Sequence, residues 1–167
     1  DLDAVRLAFR RLANLVLRRG LLVLGADSPD AAALVPLARS RVETFGLSDA
    51  ADWRAYDVAP TPEGTRFRVQ HGSDLLGVFE SPMVGAHNVR NALAAMAVAS
   101  DLGVPIEVIR EGLARFGGVK RRLEAVGTMA GVTVFDDFAH HPTAVRETLV
   151  AMRAAHPTER LWAVFEP

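Results

Sequence analysis

Over residues 53–79 the chain alternates: Thr65, Phe67 and Val69 interleave with Arg66, Arg68 and Gln70. Asp74 to Phe79 can pair back across His71-Gly72-Ser73. A period of two sends apolar side chains to one face of a strand and polar ones to the other, so the stretch predicts an antiparallel hairpin region with one buried face. The flanking sequence follows another rhythm. Residues 4–18 place Val5, Ala8, Phe9, Leu12, Leu15 and Val16 at helical spacing, with Arg6, Arg10 and Arg18 on an opposite, solvated face. Residues 21–24 and 42–45 read as short buried strands. Between them Ser28-Pro29 supplies an N-cap and a first-turn proline for a helix to about residue 39, shortened or kinked at Pro36.

Past the alternating region, residues 87–102 predict a helix faced largely by small residues such as Ala92, Ala94, Ala95 and Ala97, so its backbone can lie close to something. Gly103 stops it, and Pro105 opens a further helix over 105–116 at N1. A glycine pair, Gly117-Gly118, follows. Then the sequence predicts a hairpin through residues 127–131, a helix over 142–155 and a strand over 161–165, the start of a second α/β unit. Half of the residues are apolar, 23% are charged and the net charge is −1, which gives no electrostatic case for nucleic acid or a membrane surface. No run approaches the roughly 18 apolar residues of a membrane span. The absence of cysteine excludes disulfides and thiolate metal sites.

Three clusters carry chemistry. In Val-Phe-Asp-Asp-Phe-Ala-His-His-Pro-Thr, residues 134–143, an apolar run ends in Asp136 and Asp137; His140 and His141 follow, and Pro142 opens a helix. Ligands of open α/β sheets bind outside the carboxyl ends of strands, where these four side chains would sit. The plainer reading is an aspartate N-cap beside surface histidines. In the second cluster His87, Asn88 and Asn91 project from the first turn of the small-residue helix, where free N–H groups favour ligand acceptors. An asparagine amide offers the paired donor and acceptor that match an adenine edge; equally, Asn88 can be a simple N-cap. The third is Lys120-Arg121-Arg122 behind the glycine pair, a basic hand suited to polyphosphate or a solvated loop.

Taken in order, Gly-x-His-Asn-x-x-Asn-x-x-Ala-Ala, Phe-x-Gly-Val-x-Arg-Arg and Asp-Asp-Phe-Ala-His-His-Pro-Thr resemble the Mur ligases of bacterial cell-wall synthesis. The last motif is most similar to the murein peptide ligase branch, which joins an L-alanyl-γ-D-glutamyl-meso-diaminopimelate tripeptide to UDP-N-acetylmuramate. The L-alanine-adding branch typically has Tyr-Gly in place of Phe138-Ala139 and Glu in place of Ala144. The resemblance implies an α/β fold: residues 1–118 as the later part of an ATP-binding middle domain with an antiparallel hairpin region, and 119–167 as the start of a Rossmann-like C-terminal domain. It implies ATP and Mg²⁺ as cofactors, activation of a carboxylate as an acyl phosphate, and a cytoplasmic enzyme of cell-wall recycling with UDP-N-acetylmuramate and the murein tripeptide as partners.

The same resemblance assigns His87, Asn88 and Asn91 to the adenine pocket and Asp137 to ribose, leaving Asp136 structural. Arg122, with Lys120 or Arg121, meets the phosphates, and His140 and His141 line the interdomain cleft. Gly117-Gly118 absorbs closure of the C-terminal domain. His71, at a turn, and His156, at a helix end, read as solvated. The family's Gly-x-x-Gly-Lys-Thr/Ser phosphate loop and its acidic metal ligands are absent, and the chain stops at Phe165-Glu166-Pro167 directly after an apolar run. The expectation is therefore an excised piece, inactive alone. An L-alanine ligase, a folate polyglutamylating relative and a non-catalytic nucleotide- or peptide-binding module remain alternatives.

Overall fold

A computed structural model describes residues 1–61 and 63–165; Glu166 and Pro167, where the expected end of the chain falls, lie outside the described residues. Its main sheet has the order β1-β2-β3-β4-β5. Strands β1 (Leu21–Gly25) and β2 (Arg41–Gly46) run parallel, with Leu21 opposite Arg41 and Gly25 opposite Phe45. Strand β3 (Trp53–Thr61) joins β2 in parallel only where Phe45 faces Trp53 and Gly46 faces Arg54. Strands β4 (Gly64–His71) and β5 (Asp74–Ser81) then complete an antiparallel meander.

The predicted alternation sets the core. Thr65, Phe67 and Val69 are buried on the inner face of β4, while Arg66 and Arg68 point outward. Phe67 lies opposite Phe79 on β5, their rings stacked with centroids 6.2 Å apart. Helix α3 (Ala86–Asp101) covers this face with Val89, Leu93, Met96 and Ala97. Gly103, at φ +80°, ends it as expected. Helix α4 (Ile106–Ala114) packs along β5, and Arg110 donates to the carbonyl oxygens of Leu76 and Val78 while its guanidinium lies 4.0 Å from the Phe79 ring centroid. Pro105 is the N-cap of α4, one position ahead of the predicted N1, and the helix ends before residue 116.

Helix α1 (Leu2–Leu15) forms, with Asp1 capping Ala4 N–H, yet its apolar stripe stays exposed. Phe9 and Leu12 are 54% and 56% accessible, and Ala13 alone is buried. Pro36 shortens the next helical segment as predicted: α2 (Pro29–Ala32), capped by Ser28, gives way to a 3₁₀ turn at Val35–Leu37. His71 departs from its predicted solvated turn. Its ring stacks 4.1 Å from that of Trp53, whose indole N–H donates to Glu43, because the β3–β4 register places Trp53 opposite His71.

The second unit is smaller. Strands β6 (Glu124–Met129) and β7 (Val132–Asp136) form a separate two-stranded ribbon turned at Ala130-Gly131, both at positive φ, and α5 (Pro142–Ala155) follows. The apolar run that ends in Asp136 is part of this ribbon and is open to solvent, Val132 and Val134 having 62% and 53% of their surface accessible. One expectation fails here. The predicted strand at 161–165 is absent: among the described residues it has no neighbour to accept its ladder hydrogen bonds, and an apolar run alone does not make a strand.

Candidate functional site at the junction of α3 and the 119–141 loops

Helix α3 starts from Gly85, at φ +93°, with no side-chain cap. A Cβ built on Gly85 would fall 2.6 Å from Cβ of Ala151 on α5, so the glycine lets the two helices meet. Asn88 is therefore not the N-cap. Its Nδ2 donates to the Val84 carbonyl at 2.9 Å, and its Oδ1 accepts from Asn91 Nδ2 at 3.3 Å. Both ends of the Asn88 amide are thus engaged, and the chain of bonds orients Asn91. Among the described residues, exposed Asn91 keeps its carbonyl oxygen and one N–H free, the acceptor–donor pair an adenine edge requires.

His87 is half-buried, and its Nδ1 is a buried atom with no hydrogen-bond partner. Burial pushes the imidazole below its ordinary pKa; Glu147 and Asp137 oppose that shift, and Arg90 and Arg122 add to it. The balance favours the neutral ring at pH 7. These same neighbours show that the fold brings His87 into electrostatic reach of Asp137 and Arg122, candidates from the far end of the sequence. Glu147, which joins them from α5, gave no signal in the sequence because it is an ordinary helical carboxylate until α5 is docked.

The structure separates the cations of the basic run. Arg121, at φ +57°, pairs with Asp136 at 3.3 Å, lies 4.8 Å from the Phe138 ring centroid and accepts the Phe138 N–H at its carbonyl. It is structural, and so is Asp136. Among the described residues, Lys120 and Arg122 make no side-chain hydrogen bond or ion pair and are exposed. Asp137 ties the loop together: Oδ2 accepts from Leu123 N–H at 2.9 Å, and Oδ1 accepts from Ala139 N–H at 2.9 Å and Thr148 hydroxyl at 3.3 Å. His141 supplies the N-cap of α5, Nδ1 accepting from Thr143 N–H at 3.3 Å, the place the plainer reading gave to an aspartate. His140 stands edge-on to Phe138 at one end of an open apolar groove lined by Val145, Leu149 and Phe165. Neither histidine is brought against His87 by a hydrogen bond.

Sequence reasoning also missed Asp27. Its carboxylate, behind the carboxyl end of β1, accepts from Leu47 and Ser48 N–H and, at 2.7 Å, from Arg90 Nε on α3. Burial raises its pKa, but the bonds from Arg90 and the two amides outweigh that and hold it below the usual aspartate value. A depressed carboxylate contributes stability that is complete above the unfolded-state value, near pH 4, and is lost as pH falls through the folded one. Asp27→Asn is therefore expected to flatten the loss of stability below about pH 4, measured by denaturant unfolding at a series of pH values.

Among the described residues no group of three or more histidine or carboxylate side chains is arranged to hold a metal ion, and no helix is long and apolar enough to cross a membrane. Residues 1–99 match the Mur ligase middle domain, and residues 121–167 match the Mur ligase glutamate ligase domain. The chain belongs to the Mur ligase family. Its Mur ligase relatives include a UDP-N-acetylmuramate–L-alanine ligase of Myxococcus xanthus, 43% identical over the whole chain and 35% of that protein. Solved Mur ligase structures similar to it include a murein peptide ligase from Psychrobacter arcticus, 31% identical with a TM-score of 0.71, over 99% of this chain and 35% of that one. A MurF from Acinetobacter baumannii is 27% identical with a TM-score of 0.77, over 89% of this chain and 33% of that one. The chain spans about a third of the length of these Mur ligases.

Proposed function

We propose that this chain is the adenine-side part of an ATP-dependent amide ligase that joins the L-alanyl-γ-D-glutamyl-meso-diaminopimelate tripeptide to UDP-N-acetylmuramate in the cytoplasm. In this reading residues 1–118 belong to the ATP-binding middle domain and 119–167 to the C-terminal ligase domain. The observation that carries it is that Asp137 and Arg122 of the following unit lie within electrostatic reach of His87 on the first turn of α3, the turn that also carries the free amide of Asn91. The donor set fits a nucleotide base and phosphate; nothing among the described residues fits Mg²⁺, so no step is assigned to a metal here.

ATP, when bound, supplies the phosphoryl group that activates the muramate carboxylate. Asn91 orients the base through its free oxygen and N–H, held in register by Asn88. His87, neutral, lies on the same first turn, its Nδ1 buried and unpartnered among the described residues. Arg122 brings a mobile charge to the phosphates from the linker between the units. Asp137 is occupied by Leu123, Ala139 and Thr148, so its contribution is to fix that linker against α5, with any ribose contact made by remaining lone pairs. His141 holds the start of α5, and His140 lines the apolar groove along that helix. Such catalysis rests on placement and charge neutralisation more than on proton transfer.

Phe138, Ala139 and Ala144 support the tripeptide reading. The 43% identity with an L-alanine ligase supports the second one, in which the acceptor is L-alanine. Phosphate release by the full-length ligase with ATP, Mg²⁺ and UDP-N-acetylmuramate, comparing tripeptide with L-alanine, separates them. A preference of at least about tenfold for tripeptide is expected; preference for L-alanine overturns the acceptor, and no release with either overturns the ligase reading.

A further inference from the structure

The Asp27–Arg90 pair does more than join two surface charges. Asp27 sits just past the end of β1, and its carboxylate is seated on the backbone immediately after β2 by the Leu47 and Ser48 amides. Gly46 makes the seat possible: a Cβ there would lie 2.5 Å from Asp27 Oδ1. From this fixed point the carboxylate holds Nε of Arg90, with the two side chains only 20% and 35% exposed. Arg90 belongs to the same first turns of α3 as His87, Asn88 and Asn91; at roughly 100° per residue it lies about 60° from His87 and about 100° from Asn91 around the helix.

That turn has no side-chain cap: its N-cap is a glycine set against Ala151 of α5, and its first buried anchor is Val89. Asn88 ties it to the Val84 carbonyl, and Arg90 is the charged side chain that ties it to the β1–β2 end of the sheet. We propose that Arg90, anchored on Asp27, is a positioning residue that sets the azimuth of this turn and so aims the free amide of Asn91 at the nucleotide base. The inference rests on the adenine reading of Asn91. It assigns Arg90 no contact with ATP: its effect passes through Asn91, and it governs which base is accepted more than how fast phosphate is transferred.

The test is base selectivity in the full-length ligase, read as the ratio of kcat/KM for ATP to that for GTP. A carbonyl and an N–H aimed at an adenine edge mismatch guanine, so wild type is expected to prefer ATP by about tenfold or more. Asn91→Ala is expected to erase most of that preference. Arg90→Gln, which keeps the aliphatic stem, is expected to reduce it several-fold while KM for UDP-N-acetylmuramate stays unchanged, and Arg90→Lys to restore part of it. In an Asn91→Ala background Arg90→Gln is expected to add nothing, since residues acting as a unit are non-additive. An unchanged ratio in Arg90→Gln, or additive losses in the double variant, overturns the positioning role. An unchanged ratio in Asn91→Ala instead overturns the adenine reading beneath it.

Discussion

Arg122→Ala in the full-length ligase is expected to lower kcat/KM at least about tenfold, which corresponds to about 1.4 kcal/mol of transition-state stabilisation. The expectation comes from what the other cations are doing. Arg121 is committed to Asp136 and the Phe138 ring, so its charge is already spent on holding the loop. Arg122 follows it on the same strained turn, with its guanidinium uncommitted and within electrostatic reach of His87. A planar fork of donors suits phosphate oxygens better than an ammonium does, so Arg122→Lys is expected to recover only part of the loss. Arg121→Ala offers the contrast: destabilised linker geometry with a lower unfolding temperature. Steady-state kinetics of the three variants decides the matter, and a near-normal kcat/KM for Arg122→Ala removes the residue from the mechanism.

The second large effect is on folding. Phe67 is completely buried at the centre of β4, opposite Phe79 and under α3. Phe67→Ala removes the ring and leaves a cavity that the sheet, pinned on both sides by β3 and β5, cannot close. Such truncations cost about 3–5 kcal/mol, a large share of a typical domain's stability. For a chain of 167 residues the expected fall in Tm is roughly 6–20 °C. Phe67→Leu, which keeps much of the volume, is expected to lose far less, and calorimetry of the pair distinguishes cavity cost from a general dislike of substitution at this strand.

What was legible in the sequence follows the range over which each signal acts. The β4 alternation, the Ser28 cap, the Pro36 break and the Gly103 stop are written within a few residues of the structure they produce, and each was formed. The bond between Asp27 and Arg90 spans 63 positions and depends on β1, β2 and α3 meeting, so no local pattern announces it. The division of labour between Arg121 and Arg122 turns on one left-handed residue, and identical side chains carry no mark of it. The failures share a cause. Apolar runs in α1 and at residues 161–165 declare a need for cover without naming the cover, so neither the burial of one nor the strand in the other followed. His71 was misjudged because turn position says nothing about the indole facing it across the ladder.

One further consequence concerns the guanidinium that α4 lends to β5. β5 is the last strand of its sheet, and a terminal strand normally offers a row of carbonyls to any extended chain nearby. Here Arg110 already occupies the Leu76 and Val78 oxygens and lies over the Phe79 ring, with Glu107 steadying it at 3.0 Å. An incoming strand would have to displace a cation from two acceptors before its first ladder bond could form. Arg110 thereby closes two of that border's acceptors with one helical side chain and no extra chain length.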